Sequence, residues 1–252
     1  MLASGSGGNA AVVESGRTRV LVDAGLSGKE IERRMRSRAI DPETIAALFV
    51  THEHNDHGSG ALVFAKRFEC PIVATAGTAS ALGLEGDLFS PFVCITGGRE
   101  GRIGDIAYRA YATPHDAAES VAYGFEDAGA RLVIASDLGR VEDAFVDFLR
   151  DATTLLLEFN HDEDMLRDGP YTWPLKKRIA GGYGHLSNRQ SAQALTRAAG
   201  EHLRRVVATH LSRTNNTPEI VRAELASALT RAGRDVPFDV ADQIAGLDTF
   251  DA

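Results

Sequence analysis

Between Thr51 and Gly58 the chain reads Thr-His-Glu-His-Asn-Asp-His-Gly. That short span carries imidazoles at His52, His54 and His57 and a carboxylate at Asp56. Neutral imidazole nitrogens with a carboxylate oxygen form the donor set that suits a zinc-like ion. The run from Ile45 to Val50 is mostly apolar, the pattern of a short buried strand. Gly58 and Gly60 follow, so the histidines sit where a strand gives way to a loop, the usual place for chemistry on a rigid scaffold. The rival reading is a polar loop that happens to be rich in histidine, and the density of ligand types argues for metal. The zinc-protease pattern H-E-x-x-H is excluded, because Asp56 stands where its second histidine belongs and the glycines disfavour a mid-helix position.

One loop cannot fill two metal shells. His115 follows the strand-like run from Tyr108 to Thr113, Asp137 follows Leu132 to Ser136, and His210 follows Val206 to Thr209. Singly, each has an ordinary reading: a satisfied loop histidine, a helix-capping aspartate, a strand-end histidine. Their shared place at strand ends lets them converge on one mouth. His161 reads as supporting the site or facing substrate, and His202, between Glu201 and Arg204, as a surface residue. Tyr171 and Trp173 read either as base-stacking groups or as packing under the Pro170–Pro174 segment. Lys176-Lys177-Arg178 could meet phosphates or be solvated charge.

These candidates need elements to hold them. Ala10 to Val13 and Arg19 to Val22 read as strands joined by a hairpin turn over Glu14-Ser15-Gly16-Arg17. The glycine- and serine-rich Gly5 to Asn9 reads as a phosphate loop or as the turn into the first strand. Ser27 to Glu30 has the form of a capping box, with Ile31, Met35 and Ile40 as the apolar face of the helix behind it and Arg33 to Arg38 as its solvated face. Helices are expected over Ala61 to Phe68, Thr75 to Leu82 and Val141 to Leu149. Ser187 with Gln190 forms a capping box for a helix through Ala199, and Pro218 opens another through Ala232. Strands are expected over Pro71 to Ala74, on both sides of Gly104-Asp105, and over Val121 to Phe125, Leu132 to Ala135, Thr154 to Phe159, Val206 to Thr209 and Val236 to Val240. Strands first, then strands alternating with helices, predict an α/β (α+β) fold in one domain over residues 1–252.

The chain has 252 residues and a formal net charge of −8, which excludes a protein that coats nucleic acid non-specifically but not a nuclease with a locally positive metal site. No run is long enough for a membrane span, and the first residues lack a basic-then-apolar leader. Cys70 and Cys94 match no metal spacing and read as two free buried thiols, the pattern of a cytoplasmic protein.

The spacing T-H-E-H-N-D-H, followed by His115, Asp137 and His210, resembles the H-x-H-x-D-H, His, Asp, His pattern of the metallo-β-lactamase-fold hydrolases. The resemblance covers nearly the whole chain. It implies a four-layer αββα sandwich and two divalent metal ions, zinc or alternatively manganese. His52, His54 and His115 would hold one ion, Asp56, His57 and His210 the second, and Asp137 would bridge them. Asp23, in Leu-Val-Asp-Ala-Gly, matches the family's early structural aspartate. Gly184-His185-Leu186-Ser187 and Thr209-His210-Leu211-Ser212 resemble segments of the tRNA 3′-processing branch, in which the first histidine is a general acid oriented by a glutamate. His185 and Glu158 match that pair, although the long tRNA-binding arm of that branch is missing. The chain is also similar to the YycJ/WalJ-type subfamily of proposed DNA exonucleases in Ser-Gly-Ser-Gly-Gly-Asn, Pro-His-Asp-Ala-Ala-Glu, Glu-Phe-Asn-His-Asp and His-Leu-Ser-Arg-Thr-Asn-Asn.

The resemblance therefore implies a phosphodiesterase, exonuclease-like on DNA, in which two metals activate a hydroxide. Asp56 would orient the water, His185 would protonate the leaving alkoxide, and Glu158 would favour the charged imidazole. The substrate would be nucleic acid or a small phosphodiester. A cyclic phosphodiesterase and a lactone or thioester hydrolase are the alternatives on the same metals.

Overall fold

A computed structural model of the chain describes residues 1–84 and 92–252. They form two compact units. The first comprises Met1–Ala112, Ala117–Asp127 and Asp242–Thr249; the second comprises Thr113–Asp116, Ala128–Ala241 and Phe250–Ala252. Among the described residues no helix is long and apolar enough to cross a membrane.

In the first unit, β1 (Ala11–Ser15) and β2 (Thr18–Val22) form an antiparallel hairpin. The strand runs to Ser15, one of the expected turn residues, because Gly16 at φ +57 lets Gly16-Arg17 close the turn alone. β3 (Ile45–Phe49), β4 (Ile72–Thr75) and β5 (Phe92–Ile95) extend it in the order β1-β2-β3-β4-β5, with every pairing after the hairpin parallel. β6 (Glu100–Ile103), β7 (Ile106–Ala112) and β8 (Val121–Asp127) pair antiparallel in sequence order.

The helices of this unit are α1 (Gly28–Arg36), α2 (Asn55–Gly58), α3 (Ala61–Phe68) and α4 (Ala76–Ala81). Leu21, Ile31, Met35, Leu48, Phe64 and Ile72 share one buried cluster, as the apolar periodicities require. Phe49, the last residue of β3, meets Tyr108, Tyr123 and Phe125 edge-on at centroid distances of 4.9, 5.2 and 5.2 Å. Aromatic anchoring of this kind fixes the strand end from which the histidine loop departs.

Three expectations are corrected here. Ser27 caps α1 through Glu30 N, but the Glu30 carboxylate turns to Arg33 and Arg34, so the capping box is half made. Arg34 is buried, donating to Leu2 O at 2.8 Å, and is no part of a solvated face. Cys70 is buried but Cys94 is exposed, because β5 is the edge strand of its sheet and leaves both Val93 and Cys94 uncovered.

In the second unit, β9 (Ala130–Ala135), β10 (Thr154–Glu158), β11 (Arg205–Thr209) and β12 (Phe238–Val240) form an all-parallel ladder in that order. Its helices are α5 (Asp143–Arg150), α6 (Glu163–Asp168), α7 (Trp173–Ile179), α8 (Asn188–Ala198) and α9 (Pro218–Arg231). The capping box of Ser187 and Gln190 is complete at the start of α8, which packs on α5 and α9. The short helices α6 and α7 lack the long apolar repeat that would betray them in the sequence. Trp173 is 63 % exposed, so it does not pack under the Pro170–Pro174 segment.

Candidate metal centre

The histidine loop in the first unit is held by backbone. Ala24 N donates to His57 O and Gly60 N to Ala24 O, each at 2.7 Å, and Asn9 N donates to Asp56 O at 2.8 Å. A Cβ on Gly25 would lie 1.7 Å from Asp56 O, so only glycine allows the Asp-Ala-Gly segment this close to the loop. The loop makes one helical turn, α2, with His54 as its N-cap. Four residues suffice for such a turn, although the glycines around it argue against a longer helix.

Within that turn the rings gather. His52 and His57 are fully buried, and the His52 ring lies 4.7 Å from His54 and 4.2 Å from His57 between centroids. Asp23 Oδ2 sits 2.7 Å from His57 Nδ1, while its Oδ1 accepts from Thr51 N at 2.8 Å and Thr51 Oγ1 at 3.0 Å. Thr51 Oγ1 is in turn 3.0 Å from His52 Nδ1. The aspartate matched to the family's structural one therefore orients two imidazoles, one directly and one through Thr51. Asn9 Nδ2 lies 2.9 Å from His57 Nε2, and Asn9 Oδ1 accepts from Gly5 N. The Gly5–Asn9 segment thus folds around an asparagine that touches the site, a role its composition does not announce.

In the second unit the parallel strands deliver the remaining candidates. Glu158 pairs with Thr209 in register, His210 follows one residue on, and Asp137 lies two residues past Ala135, the partner of Leu157. All three stand at the carboxyl ends of adjacent parallel strands, the edge where α/β sheets place ligands. His185 Nδ1 is 2.8 Å from Glu158 Oε1 and 3.3 Å from Asp137 Oδ1, and His210 Nδ1 is 3.1 Å and 3.6 Å from the same two oxygens. Donor atoms of Asp137, Glu158, His185 and His210 all lie within 4.8 Å of one another. His115 Nδ1 lies 3.0 Å from Gly184 O, and its Nε2 lies 3.7 Å from Asp137 Oδ1. His161 is buried nearby in sequence but belongs to neither cluster, and His202 is exposed.

Backbone strain marks these residues. Asp23, Asp137 and His210 all adopt the left-handed region, at φ +59, +59 and +57. Non-glycine residues held there are uncommon and concentrate where side chains must be aimed.

Protonation follows from the surroundings. Burial pulls the His115 pKa below its ordinary value, against the nearby carboxylates, which keeps the ring in its neutral, ligating form. Burial also opposes the charged form of His185, but the Glu158 charge and hydrogen bond, with Asp137 behind them, outweigh it and raise its pKa. Burial raises the Glu158 carboxyl, and the charge and hydrogen bond of His185 overcome that, so Glu158 is an anion.

The donor set fits a divalent cation. A carbonyl, a carboxylate or a hydroxyl stands at Nδ1 of His115, His210 and His52, which leaves Nε2 as the coordinating nitrogen; at His57, Asp23 stands at Nδ1 and the Asn9 amide meets Nε2. With its Nδ1 at Gly184 O, His115 turns Nε2 toward the carboxylates of Asp116 at 3.4 Å and Asp137 at 3.7 Å. A cation would reconcile these facing acceptors.

Comparison with known proteins gives the same family. A family model described as the metallo-beta-lactamase superfamily matches residues 3–210. The chain is 35 % identical over 248 residues to the exodeoxyribonuclease WalJ of Streptococcus pneumoniae serotype 2, covering 96 % of this chain and 92 % of that one. It is 34 % identical over 236 residues to the exodeoxyribonuclease YycJ of Bacillus anthracis, covering 92 % and 89 %. Among solved structures, the metallo-beta-lactamase fold protein YhfI of Bacillus subtilis matches with a TM-score of 0.71 at 18 % identity, over 97 % of this chain and 95 % of that one. The short form of human tRNase Z matches with a TM-score of 0.65 at 16 % identity, over 98 % and 97 %. The mixed α/β architecture, with its two sheets and flanking helices, is the fold the sequence led us to expect.

Proposed function

The chain belongs to the metallo-β-lactamase superfamily, and from that premise we propose that it is a metal-dependent phosphodiesterase acting as an exonuclease on DNA. His52, His54 and His115 would hold one divalent cation, Asp56, His57 and His210 would hold a second, and Asp137 would serve both. Imidazole-rich donors favour zinc, with manganese as the alternative. When bound, such a pair acidifies a water and polarises the phosphoryl oxygens. The family model spans both units, which supports one domain over residues 1–252. The free thiols of Cys70 and Cys94 support a cytoplasmic location.

The observation that carries the phosphodiester assignment is the Glu158–His185 pair at 2.8 Å beside Asp137. Metals activate water for esters and phosphodiesters alike, but a sugar alkoxide is a poor leaving group and needs a proton. An imidazolium at His185 keeps Nδ1–H on Glu158 and offers Nε2–H to the departing oxygen. The His185 side chain is 22 % exposed while Glu158 is fully buried, so the donor reaches substrate and its anchor does not. Asp56, half-buried at the start of α2, is the carboxylate that aligns the attacking water. Names of relatives support DNA as the polymer.

The test is a panel of labelled single- and double-stranded oligonucleotides, a cyclic dinucleotide, a p-nitrophenyl phosphodiester, a lactone and a thioester, assayed with added zinc or manganese. Stepwise release of nucleotides from DNA is expected. Turnover of the lactone or thioester without cleavage of DNA would overturn the reading.

A further inference from the structure

Resting on the nuclease reading, we infer that the second unit carries the track for the DNA strand on the leaving-group side of the scissile bond: a stacking position at Tyr183, continued by Arg140 into a cationic cleft along α8. The segment between α7 and α8 is tied to the proposed acid. His185 N donates to Ile179 O at 2.8 Å and Asp116 N to Tyr183 O at 2.9 Å. Two residues before His185, the Tyr183 side chain is 58 % exposed. An exposed aromatic on such braced backbone serves packing poorly and serves a base face well. Arg140 Nη1 donates to Gly182 O at 3.2 Å, and its guanidinium lies 5.1 Å over the Tyr183 ring. This contact holds the ring and places a positive charge beside it.

Arg140 also lines a cleft of about 430 Å³ together with Gln190, Gln193, Arg197 and Arg231. No carboxylate lines it, in a chain whose net charge is −8. Glu142 takes Arg140 at 2.9 Å and Asp143 takes Arg197, though neither carboxylate lines the cleft. The Asp143 side chain is 94 % exposed, and ion pairs in that setting are weak enough to be exchanged for a phosphate. Arginine and amide donors in a row, with an aromatic at one end, match a phosphodiester backbone whose terminal base stacks. A carboxylic ester or a lactone has no use for such a row.

The experiment measures kcat/KM of the metal-loaded protein on a single DNA strand of roughly 12 nucleotides, within the site sizes of such platforms, and on p-nitrophenyl thymidine 5′-phosphate, across a salt series. Tyr183→Ala is expected to lower strand cleavage on the order of tenfold, the value of one stacked base. Arg197→Gln with Arg231→Gln is expected to flatten the salt dependence by roughly 0.7 in log–log slope per lost phosphate contact. The double arginine variant should leave the small diester unchanged, and Tyr183→Ala should lower it less than it lowers strand cleavage, which a folding defect would not do. If the wild type cuts the strand and the variants match it at every salt concentration, the track lies elsewhere and this inference alone fails. It also fails if both substrates fall together. If the wild type cuts no nucleic acid at all, the nuclease reading falls and takes this surface with it.

Discussion

Glu158 Oε1 lies 2.8 Å from His185 Nδ1 and, with the same oxygen, 3.1 Å from His210 Nδ1. Its other oxygen accepts from Leu138 N at 2.9 Å and Leu186 N at 3.3 Å. One buried carboxylate thus joins the proposed acid, a proposed ligand and the backbone beside Asp137. The sequence resemblance pairs Glu158 with His185 alone. The second imidazole makes the residue a joint between proton delivery and metal binding.

That joint separates two variants. His185→Ala is expected to reduce oligonucleotide cleavage by on the order of 10²–10⁴-fold, with metal content intact and much of the activity on a p-nitrophenyl phosphodiester retained, because p-nitrophenolate leaves without a proton. Glu158→Gln is expected to weaken cleavage too and also to lower metal affinity by roughly 10–100-fold through His210. Parallel kinetics and metal analysis check both. Equal loss on the two substrates in His185→Ala would make the residue a ligand or a structural group.

Asp137 is predicted to bridge the two ions. The purified protein is expected to carry up to two transition-metal ions per chain, and Asp137→Ala to lose most of them. Asp137→Asn keeps a side chain that tolerates the left-handed backbone at φ +59, so it isolates the loss of charge from the loss of conformation. Full occupancy in both variants would remove the bridging role.

Much of this site was legible in the sequence, for reasons particular to each residue. His52, His54, Asp56 and His57 are close in sequence because one short loop and the turn that follows it hold them, so spacing alone reports them as candidates. Asp137, Glu158 and His210 stand at strand ends, and parallel pairing turns that shared position into proximity in the second unit. What spacing cannot carry is a side chain reaching across the fold. Asn9 meets His57 over 48 positions, and Gly184 serves His115 through a carbonyl that any residue type possesses. Likewise α7 escaped because seven residues with Trp173 and Pro174 at the front have no apolar repeat to count, and Arg34 because its burial depends on where Leu2 O lies.

Asp23 and Gly25 should fail differently. Asp23→Asn retains the left-handed backbone but weakens the hold on His57 Nδ1, and is expected to cost roughly 10–100-fold in metal affinity with little change in apo-protein stability. Gly25→Ala drives a methyl into Asp56 O and is expected to cost on the order of 3 kcal/mol of stability, as overpacking does, together with the metal. Urea unfolding of metal-free protein separates the two. A stable Gly25→Ala that binds metal normally would show that the loop accommodates the displacement.

His161 supplies a pH dependence of stability. The ring is 2 % exposed and its Nδ1 is buried without a hydrogen-bond partner among the described residues. Burial lowers its pKa from 6.5 to about 4, against the attraction of Glu158. An unfolded chain protonates this histidine as pH falls through 6.5, while the folded chain resists until about 4. The unfolded state therefore binds more protons in that window, and stability falls as pH falls within it. The contribution between pH 7 and pH 5 is roughly 2 kcal/mol. Urea unfolding of metal-free wild type and His161→Gln at the two pH values checks it, because glutamine has no proton to gain. The variant is expected to lose less stability than the wild type on going from pH 7 to pH 5, whatever its stability at pH 7. Equal losses in the two proteins would mean that His161 is protonated as readily in the fold as out of it.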